Sequence, residues 1–186
     1  MKNGDLLSER WQAFCDGDSS ALEDIIKNVG DSLLYFVLRL VKNTWCAEDI
    51  VSDTFASLIV KKKKFRGDSS FKTYLFAAAR HRAIDYIRKN TKEISLELSE
   101  ASLTDCETLE ARLIEGEMHA HLHSAMNELS SDYRQALYLV YFEEMSAEEA
   151  AKVLKKSRKQ TENLIFRARR ALKAILEKDG YDYENI

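Results

Sequence analysis

Apolar residues recur every three or four positions almost from end to end of this chain, the pattern of helices that pack by one face. Residues 5–16 and 19–29 predict two helices around a turn at Asp16-Gly17-Asp18. Asp18 or Ser19 is placed to cap the second, whose inner face holds Leu22, Ile25, Ile26 and Val29. Gly30 is expected to end it, and Ser32–Lys42 to form a separate core helix through Leu33, Leu34, Phe36, Val37, Leu40 and Val41. Asn43 and Thr44 then start a helix covering 47–60. After the polar loop Gly67-Asp68-Ser69-Ser70, a helix from Phe71 carries the row Phe71, Leu75, Ala79, Ala83, Tyr86 and Ile87.

The periodicity fades over 93–117 and returns with Leu122, Ala125, Met126 and Leu129. Ser130 or Ser131 opens the next helix, with Leu137, Val140 and Tyr141 expected inward. Two capping boxes follow, Ser146 with Glu149 and Ser157 with Gln160, in which each side chain satisfies the other residue's free backbone donor. The first opens a short helix with Ala147, Ala150, Ala151 and Leu154 inward. The second opens a long one to about Glu177, with Leu164, Ile165, Ala168, Leu172 and Ile175 on one face. Two capped helices so close together read as a helix-turn-helix. With no proline and six glycines in 186 residues, the chain is expected to be all-α. It divides into two small helical domains, 5–92 and 118–180, joined by an acidic linker, 93–117.

Charge sharpens this picture. The chain is acidic overall, at −3, yet Lys61 to Lys89 holds ten Lys or Arg against Asp68 and Asp85, a local +8. Lys155 to Lys173 holds eight against Glu162, or +7, whereas the linker has eight acids against Arg112, or −7. Positive charge gathered at two places marks surfaces for a polyanion, with nucleic acid the foremost. Cys15, Cys46 and Cys106 are odd in number and lack metal-ligand spacing, so they read as reduced thiols. No apolar run approaches the ~20 residues of a membrane span, and the N-terminus lacks a signal peptide's apolar core. A cytoplasmic protein is expected.

The segments AEDIVSDTF and FRGDSSFKTYLFAAARHRAIDYIRK, in that order, resemble region 2 of the bacterial RNA polymerase sigma-70 family, and most of all its extracytoplasmic-function (ECF) group. LSSDYRQALYLVYFEEMSAEEAAKVLKKSRKQTENLIFRARRALKAIL resembles region 4 of the same family. The resemblance implies a subunit that binds core RNA polymerase and directs it to promoter DNA, with no catalysis, no cofactor and no metal. It implies docking on the clamp-helix coiled coil of the largest polymerase subunit through Asp49, Ser52 and Asp53. It assigns the −10 element to Lys63, Lys64, Phe65, Arg66, Gly67, Asp68, Ser69, Ser70, Lys72, Tyr74 and Arg80. The loop 67–70, with Phe65, would hold a base flipped from the non-template strand. The −35 element falls to Arg158, Lys159, Gln160, Glu162, Asn163, Phe166 and Arg167. An anti-sigma factor is implied as a further partner.

This chain departs from the family at Lys155, where a turn glycine is common, at Lys156, where an apolar residue is usual, and at Glu162, where a basic or neutral one is common. These departures bear on which DNA sequence is read. A helix-turn-helix regulator working without polymerase accounts for 130–176 and leaves the first ninety residues unexplained. His81 and Asp85, four apart, could pair, but nothing near them supplies a nucleophile or oxyanion hole. His119, His121 and His123 alternate, which on a helix spreads them around the axis rather than toward one metal ion.

The linker's sign supports a test. A mere spacer has no need of negative charge, which repels the DNA bound on either side. The resemblance implies that it threads the positively charged route that growing RNA later occupies. Changing Glu93, Glu97, Glu100 and Asp105 to Gln or Asn is expected to lower core affinity or shift the ratio of abortive to full-length RNA. The effect should fade as salt rises; wild-type behaviour at low salt would leave only a spacer.

Overall fold

The computed structural model describes residues 3–60, 65, 67–97 and 117–178. Among these residues every regular element is helical and no strand occurs, as the periodicity demands. The chain forms two compact units, Met1–Leu109 and Glu110–Ile186.

In the first unit, α1 (Asn3–Cys15), α2 (Ser20–Val41), α3 (Thr44–Val60) and α4 (Phe71–Glu97) pack with α2 in contact with the other three. Asp18 accepts hydrogen bonds from the Ser20 hydroxyl at 2.6 Å and the Ser20 amide at 3.0 Å, which hold its carboxyl below the usual range. Gly30 does not break the helix it was expected to end: α2 runs straight through it. A mid-helix glycine costs about 1 kcal/mol, whereas burying each large apolar side chain contributes about 1.5–3 kcal/mol. The face of Ala21, Ile25, Val29, Leu33, Phe36 and Val37 is buried and stays in phase across the glycine, so packing decides.

The helix stops instead at Lys42, in the left-handed region at φ 56°, with its N–H on the Leu38 carbonyl at 2.8 Å. Asn43 then accepts from the Cys46 amide at 3.0 Å and caps α3. In α4 the predicted row is fully buried at Phe71, Leu75, Ala79 and Ala83 and half-buried at Tyr86 and Ile87, and Phe76 meets Phe36 with ring centroids 5.3 Å apart. The helix continues past Lys92 to Glu97, with non-helical geometry at Asn90. Residues 98–116 of the expected linker, Cys106 included, lie outside the described residues.

In the second unit, α5 (Glu117–Glu128), α6 (Ser131–Leu137) and α7 (Ala147–Leu154) each pack against the long α8 (Arg158–Lys178). Met126, Leu129, Leu137 and Ala168 form a buried cluster, flanked by Leu122, Tyr133, Ala171, Leu172 and Ile175. Arg134 closes the end of α5, donating to the carbonyls of Met126, Asn127 and Leu129 at 2.7–2.9 Å. A cation on the unsatisfied carbonyls of a helix C-terminus is favourable both as a donor and against the dipole. Tyr141, expected inward, is 53% exposed, while Tyr138 and Leu139 are buried. The cause is a π-helical turn over Tyr138–Phe142. Widening the turn by one residue rotates the following side chains away from the 3.6-residue phase.

Both capping boxes form. Ser146 and Glu149 exchange backbone donors at 2.9 and 3.2 Å, and Ser157 and Gln160 at 2.8 and 3.2 Å. Between them Lys155 stands in the left-handed region at φ 55°. Lys156 reaches Asp132 at 3.1 Å, which gives its charge a partner where an apolar side chain would otherwise sit. Because a side chain at a left-handed position is strained by about 1 kcal/mol relative to glycine, Lys155→Gly should stabilise the second unit by roughly that amount. Urea unfolding of the whole chain reads this as a higher midpoint, and an unchanged or lower midpoint would contradict the strain.

Candidate nucleic-acid interface

The loop before α4 is held by what precedes and follows it. Ser70 caps α4: its hydroxyl lies 2.8 Å from the Thr73 hydroxyl and accepts from the Thr73 amide at 3.3 Å, and its carbonyl accepts from Tyr74 at 3.1 Å. The Phe71 amide, a further free donor of that first turn, is met by the Ser8 hydroxyl of α1 at 3.2 Å. Trp11 of α1 stacks on Phe71, ring centroids 4.6 Å apart and planes 16° from parallel. Phe65 packs edge-on to Phe71 at 5.5 Å and tilted against Tyr74 at 5.4 Å. Aromatic residues of α1, the loop and α4 thus form one continuous contact.

Gly67 turns at φ 78°, a conformation that a side chain would strain. Gly67 and Asp68 are exposed, and Ser69 and Ser70 half-buried, with the Ser69 hydroxyl on the Ser70 carbonyl at 3.2 Å. Lys72, Tyr74 and Arg80 follow on α4, each half-buried. Lys63, Lys64 and Arg66 lie outside the described residues.

On α3, Asp49, Ser52 and Asp53 are all exposed, and Arg82 of α4 approaches Asp53 at 3.7 Å. The same helix exposes Trp45 at 80% and Val60 at 82%. Residues 45, 49, 52, 56 and 60 step along one side at helical spacing, so Trp45 and Val60 extend the acidic stripe with apolar ends. Reading the carboxylates alone missed them; continuing the period in both directions finds both.

On α8 the sequence-derived residues separate into two sets. The Gln160 side chain is committed to the capping box, and Thr161 is fully buried with its hydroxyl on the Ser157 carbonyl at 3.1 Å. Arg158, Lys159, Glu162, Asn163, Phe166 and Arg167 face solvent. Arg158 donates through Nε to Glu162 at 2.8 Å, and Arg170 lies over the Phe166 ring at 5.9 Å.

His81 and Asp85 pair at 3.5 Å, with Arg88 also on Asp85 at 3.7 Å, on an open helix surface. His119, His121 and His123 fall on α5, but their side chains lie outside what is described. Among the described residues no group of three metal-ligating side chains occurs, and no helix is long and apolar enough to cross a membrane.

Residues 18–93 match the family model for Sigma-70 region 2, and residues 119–172 that for Sigma-70, region 4. The chain belongs to the sigma-70 family of RNA polymerase sigma factors, in its ECF group. It is similar to the ECF RNA polymerase sigma factor SigM of Bacillus subtilis, 28% identical over 161 residues that span 87% of this chain and 98% of that relative. The RNA polymerase sigma-H factor of Pseudomonas aeruginosa is 29% identical over 181 residues, spanning 92% of each chain. Its fold is shared with the sigma factor RpoE solved in complex with the anti-sigma factor NepR from Bartonella quintana, at TM-score 0.64 and 22% identity over 83% of this chain and 96% of that one. CnrH, solved in complex with the cytosolic domain of CnrY, gives TM-score 0.64 and 22% identity over 97% and 100%. Sigma factors are initiation factors rather than enzymes, so the contact of His81 with Asp85 on the surface of α4 is not a catalytic pair.

The cap separates the loop serines by role. Ser70→Ala removes an N-cap and should destabilise the first unit by about 1 kcal/mol. Ser69→Ala, which loses one bond within the loop, should cost clearly less in the same urea titration. Equal losses would show that Ser70 is no cap.

Proposed function

We propose that this sigma factor docks on core RNA polymerase through the exposed face of α3, around Asp49, Ser52 and Asp53, and reads promoter DNA with its two units in separate places. The first unit takes the −10 element. The loop of Phe65 to Ser70, with Lys63, Lys64, Lys72, Tyr74 and Arg80, receives a base turned out of the non-template strand and so helps to open the duplex. Unstacking a base costs a few kcal/mol. A loop of small polar groups beside aromatic and cationic side chains is suited to recover that cost by stacking and charge. The second unit lays α8 in the major groove at the −35 element, with Arg158, Lys159 and the outward residues of the next two turns at base edges and phosphates.

The observation that carries this reading is the pair of family matches in order along one helical chain. A helix-turn-helix regulator accounts only for the second. An anti-sigma factor is proposed as a further partner because the solved structures that share this fold, RpoE and CnrH, are complexes with NepR and with the cytosolic domain of CnrY. We place this sigma factor in the cytoplasm, where polymerase works, with the acidic linker along the polymerase's nucleic-acid path.

Adding the full chain to core polymerase and mapping the 5′ ends of the transcripts tests this. Specific start sites preceded by a common pair of elements are expected. Asp68→Ala with Ser69→Ala should reduce transcription while core binding survives. Lys159→Ala should weaken binding to all DNA and lower the salt slope by about one if it meets a phosphate. Transcripts no different from those of core alone would defeat the reading.

A further inference from the structure

The Arg158–Glu162 pair breaks two rules of helix electrostatics. Arg158 is the first residue of α8, and a cation at a helix N-terminus opposes the dipole. A pair with the acid on the C-terminal side is also the less favourable orientation for four-residue spacing. Both side chains are about half exposed or more, at 69% and 48%, and such pairs add little to stability. Glu162 is moreover the only acid between Lys155 and Lys173. On a face meant for phosphates, one carboxylate lowers affinity for every DNA sequence. DNA affinity argues against this residue and helix stability gains little from it, and departures of this kind gather at functional positions.

The contact itself supplies a use. Glu162 holds Arg158 by Nε at 2.8 Å. An arginine gripped there loses rotamer freedom and keeps its two terminal amino groups, which project as a planar fork. Two parallel donors on such a fork match the O6 and N7 acceptors of guanine in the major groove. Gln160 is held in the capping box and Thr161 points into the core, and although Glu148 also attracts Arg158, Glu162 is the carboxylate hydrogen-bonded to it. We propose that Glu162 is a positioning residue for specificity, which aims Arg158 end-on at one guanine of the upstream element and gives up general affinity for selectivity. This deepens the reading that α8 lies in the major groove, and rests on it.

The test uses holoenzyme assembled from core polymerase and the full chain, selecting from promoters randomised across the upstream element. Wild type, Glu162→Ala, Arg158→Ala and the double variant are compared. Wild type should prefer guanine at one position. Glu162→Ala should lower that preference about tenfold, the size of one bidentate contact, while total binding rises. Arg158→Ala should lose preference at the same position, and the double variant should be no worse than Arg158→Ala alone. A uniform rise in binding with preferences intact would reduce Glu162 to a repulsive charge and overturn the proposal. So would a changed preference at a different position, which would mean that Glu162 accepts from a base itself. If Arg158→Ala and Lys159→Ala both leave every upstream preference and the salt slope untouched, the placement of α8 in the groove fails instead, and this inference with it.

Discussion

Trp11 and Phe71 stack face to face, and one turn from that contact Ser8 satisfies the first backbone donor of α4. This clasp fixes two things together. It closes the first unit by joining α1 to α4 through Ser8 and Phe71, 63 residues apart in sequence. It also sets the point from which the loop of Gly67 to Ser70 departs, because Phe65 on the far side of the loop packs against the same Phe71 ring. Phe71 is fully buried, and cutting such a side chain back to alanine typically costs about 3–5 kcal/mol. The Ser70 cap is worth nearer 1 kcal/mol. Packing therefore places the loop, and the cap refines its exit angle.

The division of labour along the chain follows from where each unit spends its polar groups. In the first turns of α8, Ser157, Gln160 and Thr161 serve the helix itself, which leaves Arg158, Lys159, Glu162 and Asn163 outward. In α3 the core side uses Ala47, Ile50, Thr54, Phe55 and Leu58, and the acids fall on the opposite side with Trp45 and Val60 at the ends. A short helix can carry one buried face and one reading or docking face. The proposed sigma-factor roles need no more than that from each helix, and they need the faces to be held rigidly.

Much of this was legible in the residues, and the misses share a physical cause. Capping boxes at Ser146 and Ser157 are local hydrogen-bond devices, so four residues of sequence suffice to find them. Helix ends were harder. Gly30 sits inside α2 while Lys42 and Lys155 take the left-handed positions that rules assign to glycine. At Gly30 the buried face on either side outweighs a backbone preference of about 1 kcal/mol; at Lys42 and Lys155, both exposed, the side chain sits at a left-handed position that costs about as much. Tyr141 was misplaced because the period itself changes, at a π-helical turn that no 3.6-residue count anticipates. At the site, the residues that the resemblance named on α3, and those on α8 apart from the capping Gln160, fall on exposed faces. The Arg158–Glu162 grip and the Trp11–Phe71 stack depend on rotamers and on distant segments, which periodicity does not encode.

The clasp between α1 and α4 holds the loop that is proposed to act on the opened strand. Permanganate reactivity of unpaired thymines in the −10 region measures that opening directly, in complexes of core polymerase with the full chain. Combining Ser8→Ala with Trp11→Leu loosens the clasp while keeping an apolar residue in the core. Thymine reactivity should then fall, while affinity for core polymerase, proposed to rest on the outward stripe of α3, stays at the wild-type level. Undiminished reactivity in a folded variant with the clasp removed would contradict it.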